Sequence, residues 1–518
     1  MKIRIERDGP TSPTDYSWQF GLGNDHAHQM LRSDVFEQAK RAHDELGIRY
    51  LRCHGIFDDD MLVDQKLSDN AYLRGLPGAK KIGQINFHQA SLYLDNVLKA
   101  GLKPLLEISF MPTHLAKKKK IGFPYFSYNN CISQPRSDEE WSHFIRLFAD
   151  FLLDYYGKEE VDSWYFEVWN EPDLKGFFRG SQKDYFHLYE VTARALKSAD
   201  SSLRVGGPAT SGCHWIREFK DFCQKGNVPL DFLSTHHYPG DGFGNAITFK
   251  SALKMMKDSR SAGKKNAGLG ETYEKLFFHP EVYRGWKRGI LAGMDEEALK
   301  EAGEIPLFID EWSSMAVFGS PCHDEKYDAA FIIDTALRLS GRLPAYMYWC
   351  LSDVFEEQEQ LNEPFHGSFG IIANNGIPKP NFWAFKILSM LYPERLDLPL
   401  EEGMVEHAAF RQGKDTQILL FDQEHDYLKR ESEALEVELN APSSAVYAYR
   451  IDDMHCNPKA LWVELGRKGT LNPREVEQIK AASALEKEAI SFSSENGETT
   501  VALTLGSNDV VLLECKGE

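Results

Sequence analysis

SWYFEVWNEP, residues 163–172, is an apolar run rich in aromatic and β-branched residues that ends in an Asn-Glu-Pro turn. Such a run predicts a buried strand, and its proline ends the strand because proline cannot donate to a β-ladder. The run IPLFIDEW (305–312) has the same character and ends in an Asp-Glu pair. The two runs therefore predict Glu171 and Glu311 at the carboxyl ends of two buried strands.

Six further runs of the same kind lie outside this pair, and stretches with helical periodicity separate them all. The six runs are WQFGLG (18–23), IRYLRCHG (48–55), KPLLEISF (103–110), LRVGGPA (203–209), DFLSTHHY (231–238) and PAYMYWCLS (344–352). The helix-like stretches are 33–47, 85–100, 137–156, 182–200, 213–225, 281–303, 323–341 and 379–392. Eight strand–helix alternations predict an α/β fold in which a parallel sheet closes into a (β/α)8 TIM barrel.

A doubly wound open sheet is the alternative fold. It predicts a glycine-rich phosphate loop and a helix directly after the first strand. The sequence there is GLGNDHAHQM (21–30), which lacks the third glycine and an opening helix. The barrel is therefore the better interpretation.

The pattern changes after about residue 393, where apolar and polar residues alternate with period two between turn residues. Such alternation is typical of an antiparallel, half-buried sheet, and we expect an accessory C-terminal β-sandwich. The opening MKIRIER alternates in the same way and is followed by a Pro/Ser/Thr linker, so we expect it to add a strand to the sandwich. The predicted units are a barrel over 14–392 and a sandwich over 1–13 plus 393–518, with a helical stretch near 472–485.

The connection 239–304 between two predicted strands is far longer than the roughly 2–6 residues of an ordinary βα loop. A connection of this length at the barrel mouth either shapes a substrate pocket or is a surface insertion. Both interpretations remain open.

Composition excludes several classes of partner. The 518 residues carry a formal net charge of −19, whereas nucleic-acid binding needs a basic surface. No apolar run approaches the roughly 18 residues of a membrane span, and the N-terminus lacks a stretch typical of a signal peptide. The eight cysteines are dispersed without a C-x-x-C pair, as in proteins of reducing compartments. We therefore expect a cytoplasmic protein with no nucleic-acid or membrane partner.

Catalytic groups of a TIM barrel cluster at the carboxyl ends of its strands. Strands four and seven face each other across a narrow mouth, so Glu171 and Glu311 can flank one scissile bond. Carboxyls about 5–5.5 Å apart carry out a retaining double displacement on a glycoside, and a separation of about 6.5–9.5 Å leaves room for an inverting water. The other candidate polar and aromatic groups at strand ends are Arg52, His54, Glu107, Asn170, His236, Tyr238, Asp310, Trp349, Glu356 and Glu357.

Several longer motifs resemble those of family 39 glycoside hydrolases of the β-xylosidase type, over nearly the whole chain. They are YLRCHGIFDDDM (50–61), KPLLEISFMP (103–112), YFEVWNEPDL (165–174), DFLSTHHYP (231–239), YWCLSDVFEE (348–357), PFHGSFGI (364–371) and RIDDMHCNPKALW (450–462). The resemblance implies an exo-acting retaining glycosidase that releases xylose from short β-1,4-xylooligosaccharides. It also implies a homo-oligomer with no metal or organic cofactor.

The resemblance implies a role for each of these candidate residues except Glu107. Glu171 is then the acid/base, Glu311 the nucleophile, and Asn170 a partner of the sugar 2-hydroxyl. Tyr238 donates its phenol to the nucleophile, and Arg52 supports that carboxylate's charge. The remaining substrate-binding candidates are His54, His236, Asp310, Trp349 as a platform below the ring, and the pair Glu356 and Glu357.

Two features depart from the family pattern, namely Asp310 in place of an expected glutamate and the long 239–304 connection. Other family 39 activities, β-glucosidase, β-galactosidase and α-L-iduronidase, therefore stay as alternatives, although iduronate needs a cationic clamp on its carboxylate. A noncatalytic carbohydrate-binding protein would have lost one of the two glutamates. A metal hydrolase needs a His/Asp cluster, which adjacent His236 and His237 alone do not supply.

Overall fold

A parallel barrel forms the larger part of the protein. The computed structural model describes residues 1–119, 130–239, 288–316, 318–357, 363–400, 405–426 and 429–518. Within these residues eight parallel strands close on themselves in chain order, and the last strand pairs with the first. The (β/α)8 barrel predicted from the sequence is thus confirmed.

The barrel strands are β3 (Gly21–His26), β4 (Tyr50–His54), β7 (Lys103–Ile108), β8 (Tyr165–Val168), β9 (Arg204–Thr210), β10 (Phe232–His237), β11 (Leu307–Trp312) and β12 (Ala345–Tyr348). The helices around the barrel are α1 (Ser33–Leu46), α2 (His88–Lys99), α3 (Asp138–Tyr156), α4 (Lys158–Val161), α5 (Gln182–Ala199), α6 (Ile216–Gly226), α7 (Ile290–Ala302), α8 (Lys326–Leu339) and α9 (Pro380–Ser389). A small hairpin, β5 (Asp64–Lys66) with β6 (Gly83–Ile85), lies between β4 and α2.

Local sequence signals explain where several helices begin and end. Helix α1 ends at Gly47, which adopts φ 75°, a left-handed conformation that glycine reaches without steric cost. Helix α5 begins with a capping box in which Ser181 and Asp184 satisfy each other's backbone N–H groups. The first predicted strand differs from the structure, since Ser17–Gln19 forms a 3-10 turn and β3 starts only at Gly21.

Three barrel strands carry irregularities at their carboxyl ends. Across β10 and β11, Thr235 pairs with Ile309 and the next pair is His236 with Glu311, so Asp310 is an extra, bulged residue. An extra residue in one strand changes the direction of the side chains that follow it. Adjacent residues of β11 can therefore both face the barrel interior.

The accessory sheets form a sandwich. Their strands are β1 (Lys2–Ile5), β2 (Thr11–Pro13), β13 (Glu394–Leu396), β14 (Glu406–Gln412), β15 (Asp415–Phe421), β16 (Ser432–Leu439), β17 (Ser443–Ile451), β18 (Glu488–Ala489), β19 (Ser493–Glu495), β20 (Glu498–Gly506) and β21 (Val510–Gly517). One sheet has the order β1-β16-β20-β19, and the other β18-β17-β21-β15-β14-β13-β2. A shared apolar core that includes Ile3, Val437, Ile418 and Leu513 fills the space between them.

The opening segment joins the sandwich as expected, although β1 runs parallel to β16. The predicted Pro/Ser/Thr linker is not irregular, because β2 pairs with β13 in the larger sheet. The predicted helical stretch is present as α11 (Pro473–Ala482), which Asn472 caps, and α10 (Pro458–Glu464) is an additional helix. Most of the long 239–304 connection lies outside the described residues. In the part of the chain that is described, no helix has the length and apolar character of a membrane span.

Candidate active site

The turn after β8 holds Glu171 at the barrel mouth. Trp169 and Glu171 adopt φ 75° and 39°, left-handed conformations that are strained for residues with a side chain. The N–H of Glu171 donates to the carbonyl of Ala209 at 2.8 Å, which ties this turn to the end of β9. The neighbouring strand therefore holds the strained turn in place.

Glu171 and Glu311 meet at His236, as the positions of their strands predict. Nδ1 of His236 lies 3.1 Å from Oε1 of Glu171 and 3.4 Å from Oε2 of Glu311. One oxygen of each carboxyl and this nitrogen all lie within 4.8 Å of one another. This separation matches the roughly 5–5.5 Å of retaining glycosidases and is well below the roughly 6.5–9.5 Å of inverting ones. Burial lowers the pKa of His236, so its ring is neutral at neutral pH.

Arg52, on β4, contacts several polar side chains at the base of the site. Its Nη1 donates to Oε2 of Glu311 at 3.3 Å, and its Nη2 donates to Oδ1 of Asn170 at 2.9 Å. Its Nε donates to Glu167 at 2.7 Å, and Nη2 also lies 2.9 Å from Glu107. Burial alone would lower the pKa of Arg52, but the surrounding carboxylates raise it well above its ordinary value. Arg52 is thus a permanent cation beside Glu311.

Asn170 and Tyr238 take positions that fit their predicted roles. Because a guanidinium only donates, the side-chain oxygen of Asn170 must face Arg52, and its amino group faces away. Tyr238 donates its hydroxyl to Oε1 of Glu311 at 2.5 Å. Glu311 therefore receives a donor on each oxygen, which fixes the orientation of its carboxyl group.

His54 lies on the other side of the pocket. Its Nδ1 lies 2.7 Å from Oε2 of Glu107. Burial alone would lower the pKa of His54, but Glu107 raises it to about 9, so the imidazole is cationic at neutral pH. The indole of Trp349 packs against this ring with centroids 4.8 Å apart. Any side chain at Gly23 would collide with that indole, since a Cβ atom there would come within 2.4 Å of it.

Asp310 is fully buried beneath Arg52, where the β11 bulge directs it. Its Oδ2 lies 3.8 Å from Nε of Arg52, and its Oδ1 lies 3.6 Å from Nε2 of His236. The carboxylate of Glu167 approaches the same Nε atom of Arg52, at 2.7 Å. Burial and the charge of Glu167 raise the pKa of Asp310 well above its usual range, so Asp310 is protonated.

Glu357, in the segment after β12, is within electrostatic range of Glu171 and Glu311. Burial raises the pKa of Glu357 well above its usual value, and the charges of Asp25, Glu311 and Glu171 add to this effect. Glu356 instead adds to the charges that raise the pKa of Arg32, at the start of α1. The two predicted carboxylates thus share Asp25 as a charged neighbour, and the charges of Glu171 and Glu311 act on Glu357.

Among the described residues two clusters have the composition of a metal site. One is Glu171, His236 and Glu311, where Arg52 already supplies a cation at 3.3 Å from Glu311. In the other, Cys213 and Asp295 lie beside His237, whose ring nitrogens are 2.8 Å from Asp295 and 3.1 Å from the hydroxyl of Tyr346. Protein groups therefore face both nitrogens of His237. The predicted absence of a metal stays a prediction.

Sequence reasoning assigns no role to three acidic groups of the site. Glu107 is among the candidates at strand ends, whereas Glu167 and Asp25 are not. The signal for Glu167 is a charged residue in the middle of an otherwise apolar strand. Asp25 lies in a run of polar residues that is entirely buried at the end of β3. Buried charges are rare without a partner, so both patterns point to a site.

Aromatic residues that sequence reasoning does not single out pack beside Tyr238 and Trp349. Phe318, Phe355 and Phe369 form one buried cluster with Tyr238 and Trp349. The rings of Phe318 and Phe355 stack with centroids 5.8 Å apart. Such a cluster suits the apolar faces of a sugar ring.

Comparison with known proteins identifies relatives along the full chain. A β-xylosidase from Caldicellulosiruptor saccharolyticus is 36% identical over 523 aligned residues, which cover 100% of this chain and 98% of that protein. A β-xylosidase from Geobacillus stearothermophilus is 29% identical over 509 residues, which cover 96% of this chain and 92% of that protein. Among solved structures, a monomeric β-xylosidase from Caulobacter crescentus has a TM-score of 0.78 at 28% identity, with 100% of this chain and 99% of that chain covered.

The family model described as glycosyl hydrolases family 39 matches residues 1–277 and 281–500. The match spans both the barrel and most of the accessory sheets, and it includes both strand ends that carry Glu171 and Glu311. The chain is therefore a glycoside hydrolase that belongs to family 39.

Proposed function

We propose that the protein is a retaining exo-β-xylosidase that releases terminal xylose from short β-1,4-xylooligosaccharides. The observation that carries this proposal is the close approach of Glu171 and Glu311, whose nearest oxygens lie within 4.8 Å. That separation suits direct attack by a carboxylate and leaves no space for an attacking water between the two groups. The β-xylosidase relatives support the choice of sugar.

Each carboxyl has one task in the proposed double displacement. Glu171 gives its proton to the glycosidic oxygen while Glu311 attacks the anomeric carbon, which forms a glycosyl-enzyme ester and releases the aglycone. Glu171, now a carboxylate, then takes a proton from water. That water attacks the same carbon and frees Glu311, so two inversions give net retention.

The neighbours of Glu311 hold its carboxyl group in place for attack. Arg52 and Tyr238 each donate to one of its oxygens. We propose that the amino group of Asn170 faces the sugar 2-hydroxyl, because its oxygen is held by Arg52. His54 and Glu357 are the proposed partners of other hydroxyls, with Trp349 and its aromatic neighbours packing below the ring.

Two predicted binding residues receive a different proposed role. Asp310 and His236 are fully buried, and their contacts are with other protein groups. We propose that they support Arg52 and the catalytic pair from below, without touching the sugar. A uronate substrate is disfavoured, since the guanidinium of Arg52 is already engaged by Glu167 and Glu311.

We also propose the division into a barrel over 14–392 and a sandwich over 1–13 plus 393–518, which is supported by the sheet pairings and the separate core of the sandwich. A cytoplasmic location is supported by the eight cysteines, which are all buried thiols. The homo-oligomer implied by the family resemblance stays a prediction.

A panel of nitrophenyl glycosides tests the proposed function. We expect kcat/KM for the β-xyloside to exceed that for the β-glucoside by about two orders of magnitude, since exclusion of the extra hydroxymethyl group discriminates more strongly than the roughly 1–3 kcal/mol of a missing methylene. NMR should show the β-anomer of xylose as the first product. Equal values for the two sugars, or a higher value for a galactoside or iduronide, would contradict the xylosidase activity, and a first α-anomer would contradict retention.

A further inference from the structure

The carboxylate of Asp25 holds the backbone of the segment that carries Glu356 and Glu357. Its Oδ2 atom accepts the N–H of Glu356 at 2.5 Å and that of Glu357 at 3.2 Å. The same oxygen accepts the amide Nε2 of Gln29 at 2.7 Å. Asp25 is fully buried, and hydrogen bonds to a buried charged acceptor are strong. This contact therefore links the first barrel strand to the segment after the last one.

A bulge in β3 explains how Asp25 reaches that segment. Asn24 pairs with Cys53, and the next pair is His26 with His54, so Asp25 is the extra residue. A bulge changes the direction of a side chain relative to regular alternation. Here the bulge occurs at the barrel rim, in the strand that pairs directly with β12.

The electrostatic surroundings keep Asp25 an acceptor. Burial raises the pKa of Asp25 to about 6, and the charge of His26 and the N–H of Glu356 act in the opposite direction. Burial alone would lower the pKa of His26, but its contact with Asp58 at 2.9 Å raises it to about 9. At neutral pH Asp25 is therefore a carboxylate with a cationic imidazole beside it.

Holding two successive amides also restrains the backbone that carries their side chains. Both N–H groups face one oxygen, so the backbone at Glu356 and Glu357 cannot rotate without losing a bond. Glu357 has the electrostatic neighbours His54, Glu171 and Glu311, whereas Glu356 acts on Arg32. The contact with Asp25 thus fixes the backbone from which both adjacent carboxylates project.

We propose that Asp25 is a positioning residue for sugar recognition, which directs the carboxylate of Glu357 at an outer hydroxyl of the bound sugar. The proposal rests on the proposed function, in which Glu357 binds such a hydroxyl. Removing the contact should leave bond cleavage in place and weaken the recognition of that hydroxyl. A purely structural role would lower stability without changing which hydroxyl the enzyme recognises.

The test compares nitrophenyl β-xyloside with its 3-deoxy and 4-deoxy analogues. In the wild-type enzyme, loss of the hydroxyl that Glu357 binds should lower kcat/KM by about 10- to 100-fold, the usual range for a hydrogen bond to a charged group. In Asp25→Ala this penalty should shrink by about tenfold, with KM for the parent xyloside raised and kcat little changed. Glu357→Gln should shrink the same penalty at the same position of the sugar.

Asp452→Ala is the matched control. Oδ1 of Asp452 also accepts two nearby amides, those of Met454 and His455, each at 2.8 Å, but it lies after β17 in the sandwich region. Its removal should leave the deoxy penalties at their wild-type values, while thermal unfolding reports the stability cost of losing such a contact. This control separates lost stability from lost recognition.

If Asp25→Ala does not fold, Asp25→Asn and the double variant Asp25→Asn/Glu357→Gln replace it. The double variant should show the same deoxy penalty as Glu357→Gln alone, because both changes act through one carboxylate. Wild-type penalties in folded Asp25 variants, or additive effects in the double variant, would overturn the positioning role. Unchanged penalties in Glu357→Gln itself would instead reject the assigned sugar contact, which belongs to the proposed function.

Discussion

Asp310 and Glu167 both approach Nε of Arg52, with carboxyl oxygens at 3.8 and 2.7 Å, and burial together with the charge of Glu167 raises the pKa of Asp310 well above its usual range. Glu167 keeps its charge because Nε of Arg52 donates to it at 2.7 Å. A neutral Asp310 adds no further negative charge below Glu311. Less of the positive charge of Arg52 is therefore compensated by other carboxylates, and more of it acts on Glu311, the proposed nucleophile.

This pair makes Asp310→Asn a mild substitution. Asparagine is neutral and similar in size to a protonated aspartic acid, and its amino group can donate to Glu167. Turnover should stay near the wild-type value, and the infrared carbonyl band of a buried protonated carboxyl should disappear. Glu167→Gln removes a charged partner of Arg52 and should lower kcat/KM by about 10- to 100-fold. Equal losses in the two variants would contradict the protonation of Asp310.

Glu311→Ala should abolish nearly all turnover of xylosides, because no covalent intermediate can form. Added azide should restore part of the rate with an activated xyloside and give the α-xylosyl azide, which NMR identifies. Azide fits where the carboxylate was and attacks from the same side. Undiminished hydrolysis without azide would disprove the assignment of Glu311 as nucleophile.

Glu171→Ala should affect substrates according to their leaving groups. Xylobiose needs protonation of its leaving oxygen, so its kcat/KM should fall by roughly 10²–10⁴-fold, the usual contribution of a general acid. Dinitrophenolate leaves without a proton, so kcat/KM for dinitrophenyl xyloside should change little. Steady-state kinetics on both substrates measure the difference, and equal losses would argue that another residue is the acid.

The pair of His54 and Glu107 predicts a pH dependence. Glu107 raises the pKa of His54 from 6.5 to about 9, so the cationic imidazole is present below that pH and is lost as the pH rises through it. With dinitrophenyl xyloside, which needs no acid, kcat/KM should decline near pH 9 as His54 loses its proton. Glu107→Gln removes the charge that raises this pKa and should move the decline to lower pH by one unit or more.

The same titration affects stability, since the pair stabilises the fold below about pH 6.5 and loses that contribution as the pH rises through about 9. Glu160→Gln is the control for the kinetic experiment. Glu160 is the partner of Lys103, at the opposite end of the strand that carries Glu107. His54 would be ruled out as the titrating group if the decline of kcat/KM stayed at the same pH in Glu107→Gln. A shift of equal size in the control Glu160→Gln would also rule it out.

Sequence alone determined the main architecture. All eight predicted strands are barrel strands, and the predicted helices lie between them wherever the structure describes the chain. This succeeded because apolar periodicity, proline and glycine act over a few neighbouring residues. The sequence also predicted that Glu171 and Glu311 lie close together, because the carboxyl ends of the parallel strands in a barrel meet at one rim.

Only the tertiary structure decided how the site is supported. Regular alternation would send Asp310 and Glu311 to opposite faces, yet the bulge in β11 brings both to Arg52. A bulge depends on the register of the neighbouring strand, which lies far away in sequence. The contact of Asp25 with the amides of Glu356 and Glu357 likewise joins residues more than 300 positions apart. Protonation states also depend on the tertiary structure. Burial and neighbouring charges shift a pKa, and both exist only once the chain has folded.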